Sequence, residues 1–397
     1  MAKTSSFRSV HAAVVVCLVA AGGARTADAQ TLSDVLSFLV TNQSVQTGSI
    51  ERDRAAAQAT SDTISRALLA NLATLPVPSS SGAFVYRFNP ELGTVERPTQ
   101  TFGPFFLERA LTAGRGHASF GMTFQQFHFT SLDGRNLRDG SLVTTANQFS
   151  DEAAPFDVDR LTLDIDASVA TFYGTVGVTK RMEFGFAAPY VSLNIDGSRI
   201  NTYRGRTFTQ ASGSGHALGL ADMLVRTKYT LYDDESGALA AAVDLRLPTG
   251  RREDLLGAGT ASIKFTAIGS VEAGRLSAHA NGGVSRGGLA NELSYGAGLA
   301  VAASRRVSVV GEVLGRYIDS SGHLLSITAP HPLLNGVNTI RLTGDATSLQ
   351  ILSAVPGFKW NLSDTWVLAG NVTVPLTSAG LTAPITPFVG LDYAFGR

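Results

Sequence analysis

The chain has 397 residues, 44% of them hydrophobic and 16% charged, a composition too apolar for a disordered chain. Lysine plus arginine and aspartate plus glutamate balance at 32 each, so no basic field points to nucleic acid. The 41 glycines, and 21 phenylalanines against 2 tryptophans, suit curved sheets better than helical bundles.

Residues 1–29 read as a secretory signal peptide. Lys3 and Arg8 supply the positive start, 12–21 is the apolar core, and Ala27-Asp28-Ala29 is a small-residue cleavage site before Gln30. Gly22, Gly23 and Arg25 end the apolar run before it could span a bilayer. The single cysteine, Cys17, lies inside this peptide behind the bulky Val16, so lipidation is not expected, and the mature chain would carry neither disulfide nor thiolate chemistry. Beyond it no apolar run approaches the roughly 18 residues of a spanning helix.

Residues 30–79 form a helical segment. Thr31 and Asp34 have capping-box form, and Leu32, Val35, Leu36 and Leu39 follow at helical spacing. A second helix over about 49–73 puts Ile64, Leu68 and Leu72 on one face and stops at Pro76 and Pro78. This segment is either a periplasmic arm or a plug in a barrel mouth. Residues 80–115 are a connector with an aromatic stretch, Phe102-Gly103-Pro104-Phe105-Phe106.

From 116 to 397 the pattern changes to alternation at every second position. It predicts an all-β fold, a closed antiparallel transmembrane barrel of about twelve strands near 116–130, 159–174, 182–195, 217–232, 238–248, 261–273, 276–286, 292–303, 307–318, 347–360, 365–375 and 385–395. The connections after strands 2, 4, 6, 8 and 10 are short; those after 1, 3, 5 and 9 are long, and those after 7 and 11 intermediate. Short periplasmic turns alternating with longer outer loops are the layout of an outer-membrane barrel, and an even count puts both termini in the periplasm.

In strand 4, Gly219, Ala221, Met223, Val225, Thr227, Tyr229 and Leu231 share one predicted face, and Asp222, Arg226 and Lys228 the other. A charge facing lipid at the bilayer midplane costs roughly 2–4 kcal/mol for Arg or Lys, so the charged faces point inward. The expected lumen lining is Asp164, Asp166, Asp222, Arg226, Lys228, Asp244, Arg246, Lys264, Glu272, His279, Asn281, Glu312 and Arg316. Mixed signs fit cross-bracing of a solvated interior, or a selectivity lining with no strong preference of sign. The last strand ends Tyr393-Ala394-Phe395 with Gly396-Arg397 behind, close to the C-terminal aromatic that barrel-insertion machinery recognises.

Several segments resemble a family of outer-membrane barrels named for the MetA pathway of phenol degradation. They are Gly219-Leu220-Ala221-Asp222 with Lys228-Tyr229, Leu245-Arg246-Leu247-Pro248-Thr249-Gly250 followed by Leu255-Leu256-Gly257-Ala258-Gly259, Pro356-Gly357-Phe358-Lys359-Trp360, and Val374-Pro375-Leu376. The resemblance covers roughly 116–397. It implies a transporter-like protein of a Gram-negative outer membrane, passing small hydrophobic or aromatic solutes passively through its polar lumen. The helical segment at 30–79 would gate that lumen.

Known catalytic and metal-binding spacings are missing: no Gly-x-Ser-x-Gly, no His-Glu-x-x-His, no phosphate loop, no clustered metal ligands, and no local motif that sets a serine beside His279. The sequence therefore predicts no enzyme and no cofactor, with membrane lipids, insertion machinery and a small solute as partners and no assignable oligomeric state. The competing reading is a closed structural barrel acting through long loops at about 131–158, 197–216 and 319–346.

Overall fold

The computed structural model describes residues 30–40, 50–72, 77–79, 87–89, 94–96, 100–235, 237–319, 323–345, 347–363 and 365–396; the signal sequence and its cleavage site lie outside them. Twelve strands close into a ring. They are β1 His117–Phe129, β2 Asp157–Gly177, β3 Met182–Tyr203, β4 Leu224–Asp233, β5 Ala238–Arg246, β6 Ser262–Ala273, β7 Leu276–Gly287, β8 Glu292–Ala302, β9 Val307–Ile318, β10 Leu349–Ser363, β11 Trp366–Pro375 and β12 Thr386–Gly396. Each pairs antiparallel with the next, and β12 returns to β1 through Phe388↔Gln125 to Gly396↔His117. The expected strand train and its closure are both present.

Alternation decides which way each side chain faces. Phe120, Phe172, Val225, Leu239, Phe265, Leu299, Val313 and Val389 stand exposed on the outer wall. An apolar belt around a closed ring of strands is the surface a bilayer covers. Trp360, Trp366, Tyr393 and Phe395 gather at the end of the short turns, and Tyr190, Tyr295 and Tyr317 toward the other, as interfacial girdles do. The tightest short connection is Gly274-Arg275, where Gly274 takes φ 58°, as a two-residue hairpin turn requires. β1 begins and β12 ends at this short-turn end.

At the long-loop end the structure grows a head. β2 and β3 have 21 and 22 residues, about twice what a tilted spanning strand needs. Their upper halves join a curved sheet with the strands Leu324–Pro330, Val337–Gly344, Leu142–Phe149 and Arg206–Leu220. The last of these continues into β4 across a bulge at Ala221-Asp222-Met223, since Leu220 pairs with Tyr190 and Leu224 with Ala187. Predicted strand 4 is thus one strand with an extra residue. The parity slip turns Leu218 and Leu220 outward, and Ala221 is buried, not lipid-facing.

In the head the two faces exchange polarity. Leu161, Leu163, Ile165, Val191, Leu193 and Ile195 face inward and are buried, while Asp164, Asn194 and Asp196 are exposed. Helix α1 (Leu32–Val40) fills that apolar interior with Leu32, Val35, Leu36, Leu39 and Val40. Its predicted capping box is formed: Asp34 N donates to Thr31 Oγ1 (3.2 Å) and Thr31 N to Asp34 Oδ2 (3.1 Å). Arg199, nearly fully buried, donates to Leu39 O at the helix C-terminus (3.3 Å). Helix α2 (Ile50–Leu72) packs beside it through Ile64 and Leu68, and Arg316 of the barrel rim donates to Ala70 O (3.3 Å). Asp345 closes the 324–344 hairpin. The Thr347 hydroxyl (2.7 Å) and the His323 N–H (2.6 Å) hold its carboxyl below the usual range.

The two described helices therefore pack against the head at the long-loop end, opposite the start of β1. A charge at a helix position with no exposure tests this seat. Leu36→Asp loses a buried leucine and strands a carboxylate, a cost of at least about 3 kcal/mol. The expected outcome is rapid proteolysis of α1 in a barrel that still shifts on heating in gels; equal protease resistance would contradict the packing.

Candidate functional site: an occluded lumen

Residues 101–114 run inside the ring. Thr101, Phe102, Phe105, Leu107, Glu108, Arg109, Ala110, Leu111 and Thr112 are all buried, although none belongs to a strand or helix. An extended backbone away from water needs a partner for each N–H and C=O. Here lumen side chains take the place of a neighbouring strand. Phe102 N donates to Ser308 Oγ (2.9 Å), Phe105 N and Phe106 N donate to Glu312, and Lys359 Nζ donates to Pro104 O (2.8 Å). Further along, Ala110 N donates to Ser270 Oγ (2.9 Å), Thr230 Oγ1 to Ala110 O (2.7 Å), and Ala113 N to Glu183 Oε2 (2.7 Å). With its oxygen set toward Glu108 N (2.6 Å) and its nitrogen toward Glu108 O (3.1 Å), the Asn281 amide pairs as a strand residue would.

Ion pairs fix the same stretch. Arg109, with no exposure, meets Glu272 through Nε (3.0 Å) and Nη2 (2.9 Å). Glu108 binds Arg226 and Lys228 (3.2 Å), Lys228 reaches Glu183 (2.8 Å), and Arg226 clamps Asp244 at 2.6 and 2.7 Å. Small inward residues make the room. A Cβ on Gly296 would lie 2.7 Å from Leu107, one on Gly357 2.7 Å from Phe105, and Ala238, Ala240 and Ala242 pack against Ala110 and Leu111.

His279 sits under the crossing. Its Nδ1 is 2.9 Å from Ser270 Oγ and its Nε2 3.2 Å from Ser277 Oγ, which in turn accepts from Thr101 Oγ1 (2.9 Å). The fold thus sets two serines beside the histidine, which local sequence did not show. Both ring nitrogens are spent on holding the segment, and the group is sealed from solvent.

Of the sequence-expected lining, Arg226, Lys228, Asp244, Glu272, Asn281 and Glu312 turn inward into the segment or its ion pairs. Arg246, Lys264 and Arg316 turn inward nearer the long-loop end. Asp222 lies in the bulge and accepts from Gly250 N (3.0 Å) and Ala258 N (2.8 Å), so it pins a loop and lines no open space. Asp164 and Asp166 correct the expectation: they face outward on the head, beyond the apolar belt, where alternation keeps its period but solvent replaces lipid. There they approach His128 within 4.8 Å because His128 pairs with Asp166 across strands; Arg138 bonded to Asp164 supplies the positive charge a cation would bring. Glu108, Arg109, Glu183 and Lys359 were missed. The first two lie outside any periodic element, and the others show the same inward parity as the residues that were found.

Residues 146–323 match the model of a family described as "Putative MetA-pathway of phenol degradation". The family resemblance holds over that stretch. Two of its motifs meet in one structural unit, since Asp222 holds Gly250 and Ala258, and Thr249 Oγ1 donates to Ala221 O (2.7 Å). No curated protein matches the chain significantly. Among solved structures, the COG4313 outer membrane channel from Pseudomonas putida F1 is 15% identical with a TM-score of 0.42, covering 72% of this chain and 97% of that one. The β domain of the Bordetella autotransporter BrkA gives 10% and 0.35, covering 70% and 100%. The CymD monoaromatic hydrocarbon channel gives 9% and 0.26, covering 72% and 90%. These likenesses are too distant to place any residue.

Proposed function

We propose that the chain is an outer-membrane channel for small, hydrophobic or aromatic solutes, held closed here by residues 101–114. The short-turn end then faces the periplasm and the head faces outward. The observation that carries this reading is the way the crossing segment is held. Its backbone is bonded by side chains, with no continuous ladder, so it can leave without breaking the wall. None of the interstrand pairings of the ring runs through the segment.

The buried head core favours a second reading, a closed barrel acting through its outer end. One double variant separates the two. Thr101 Oγ1 and Ser277 Oγ lie 2.9 Å apart, so T101C/S277C sets two sulfurs within bonding reach in a mature chain expected to have no other cysteine. In liposomes the oxidised variant should take up no small solute, and reduction should restore uptake to the wild-type rate. Absence of uptake in both states and in wild type would favour the closed barrel.

A further inference from the structure

Above the crossing segment, toward the head, the lumen holds two adjoining cavities. The larger, about 160 Å³, is walled by Arg226, Asp244, Arg246, Lys264, Glu292 and Arg316. The other, about 110 Å³, is walled by Phe106, Phe127, Phe129, Ile351, Leu381 and Ala383. Phe106, Leu314 and Arg316 belong to both. One side is charged and the other is aromatic and aliphatic, so together they match an amphipathic molecule and not a bare ion.

The sign follows from which charges are already used. Asp244 is clamped by Arg226, Glu292 is bound by Arg316 at 2.6 Å, and Glu108 is held by Arg226 and Lys228. Lys264 differs. It faces inward between Asp244 and Glu292, and among the described residues no hydrogen bond or ion pair reaches its ammonium. A half-buried ammonium without a partner gains most from an anion. The carboxylates, each met by an arginine, offer little to an incoming cation.

We infer that this double cavity binds an aromatic monocarboxylate, with the ring among Phe106, Phe127 and Phe129 and the carboxylate at Lys264. The inference rests on the channel reading and narrows its solute class from aromatic to anionic aromatic. Ligand-observed NMR titration of the full mature chain in detergent tests it with benzoate, benzyl alcohol and benzylamine. Benzoate should bind roughly tenfold tighter than either other probe, the gain of one charge-assisted contact. Lys264→Met should remove that advantage, bringing benzoate down to the level of benzyl alcohol, and Lys264→Arg should keep it. Equal benzoate binding by wild type and Lys264→Met, or tightest binding of benzylamine, would overturn the inference. If Lys264→Met fails to assemble, the ranking of the three probes on wild type decides alone. Benzoate that binds but does not enter liposomes upholds the site and removes the channel reading. Solute uptake without benzoate binding upholds the channel and overturns the site.

Discussion

Replacing Arg109 with alanine should raise solute uptake through a barrel that remains assembled. Arg109 is wholly buried and pairs with Glu272, and among the described residues no second cation lies at ion-pair distance from Glu272. Truncating the arginine leaves a buried carboxylate, and breaking such a pair costs about 3–5 kcal/mol. The strained partner sits in the wall and the segment is the movable part, so the cost falls on the closed state. A loss of 3 kcal/mol changes a closed-to-open ratio by more than about a hundredfold. Arg109→Ala/Glu272→Ala should recover part of the closure, because the orphan charge goes with its partner. Liposome swelling with a small sugar reads the effect. Uptake by Arg109→Ala no faster than wild type would show that the ion pair does not hold the segment.

The second large effect concerns the wall. Val313 points outward near the middle of β9, whereas Ser285 on β7 borders the inner cavity. Val313→Lys puts an ammonium against lipid, costing roughly 2–4 kcal/mol at the midplane. Ser285→Lys puts the same charge in the lumen at little cost. The fraction of chains giving the compact, heat-sensitive gel band in lipid should fall sharply for the first and stay near wild type for the second. Equal loss in both would contradict the assignment of faces.

The strand train was legible because period-two alternation is set by the pleat itself, and each face meets one medium over the width of a bilayer. Asp164 and Asp166 show where that stops. The pleat continues into the head, yet the medium outside becomes water, so an outward charge costs nothing there. The β4 bulge was hidden for a related reason: one added residue leaves composition unchanged and reverses parity. The crossing segment was the hardest to see. Its partners are single side chains on β4, β6, β7, β9 and β10, brought together only by closure of the ring. Its one trace in the sequence is the run of small inward residues at Ala238, Ala240, Ala242, Gly296 and Gly298, which leaves space that something must fill. The helical N-terminus was recognised from its capping box and spacing, but nothing local could say which end of the barrel it occupies.

The most direct test of closure by residues 101–114 is the current through a single T101C/S277C barrel in a planar bilayer while reductant is added. The oxidised barrel should stay silent, and discrete opening events should begin on reduction at the wild-type frequency. Steady conduction through the oxidised barrel, equal to that after reduction, would contradict the account.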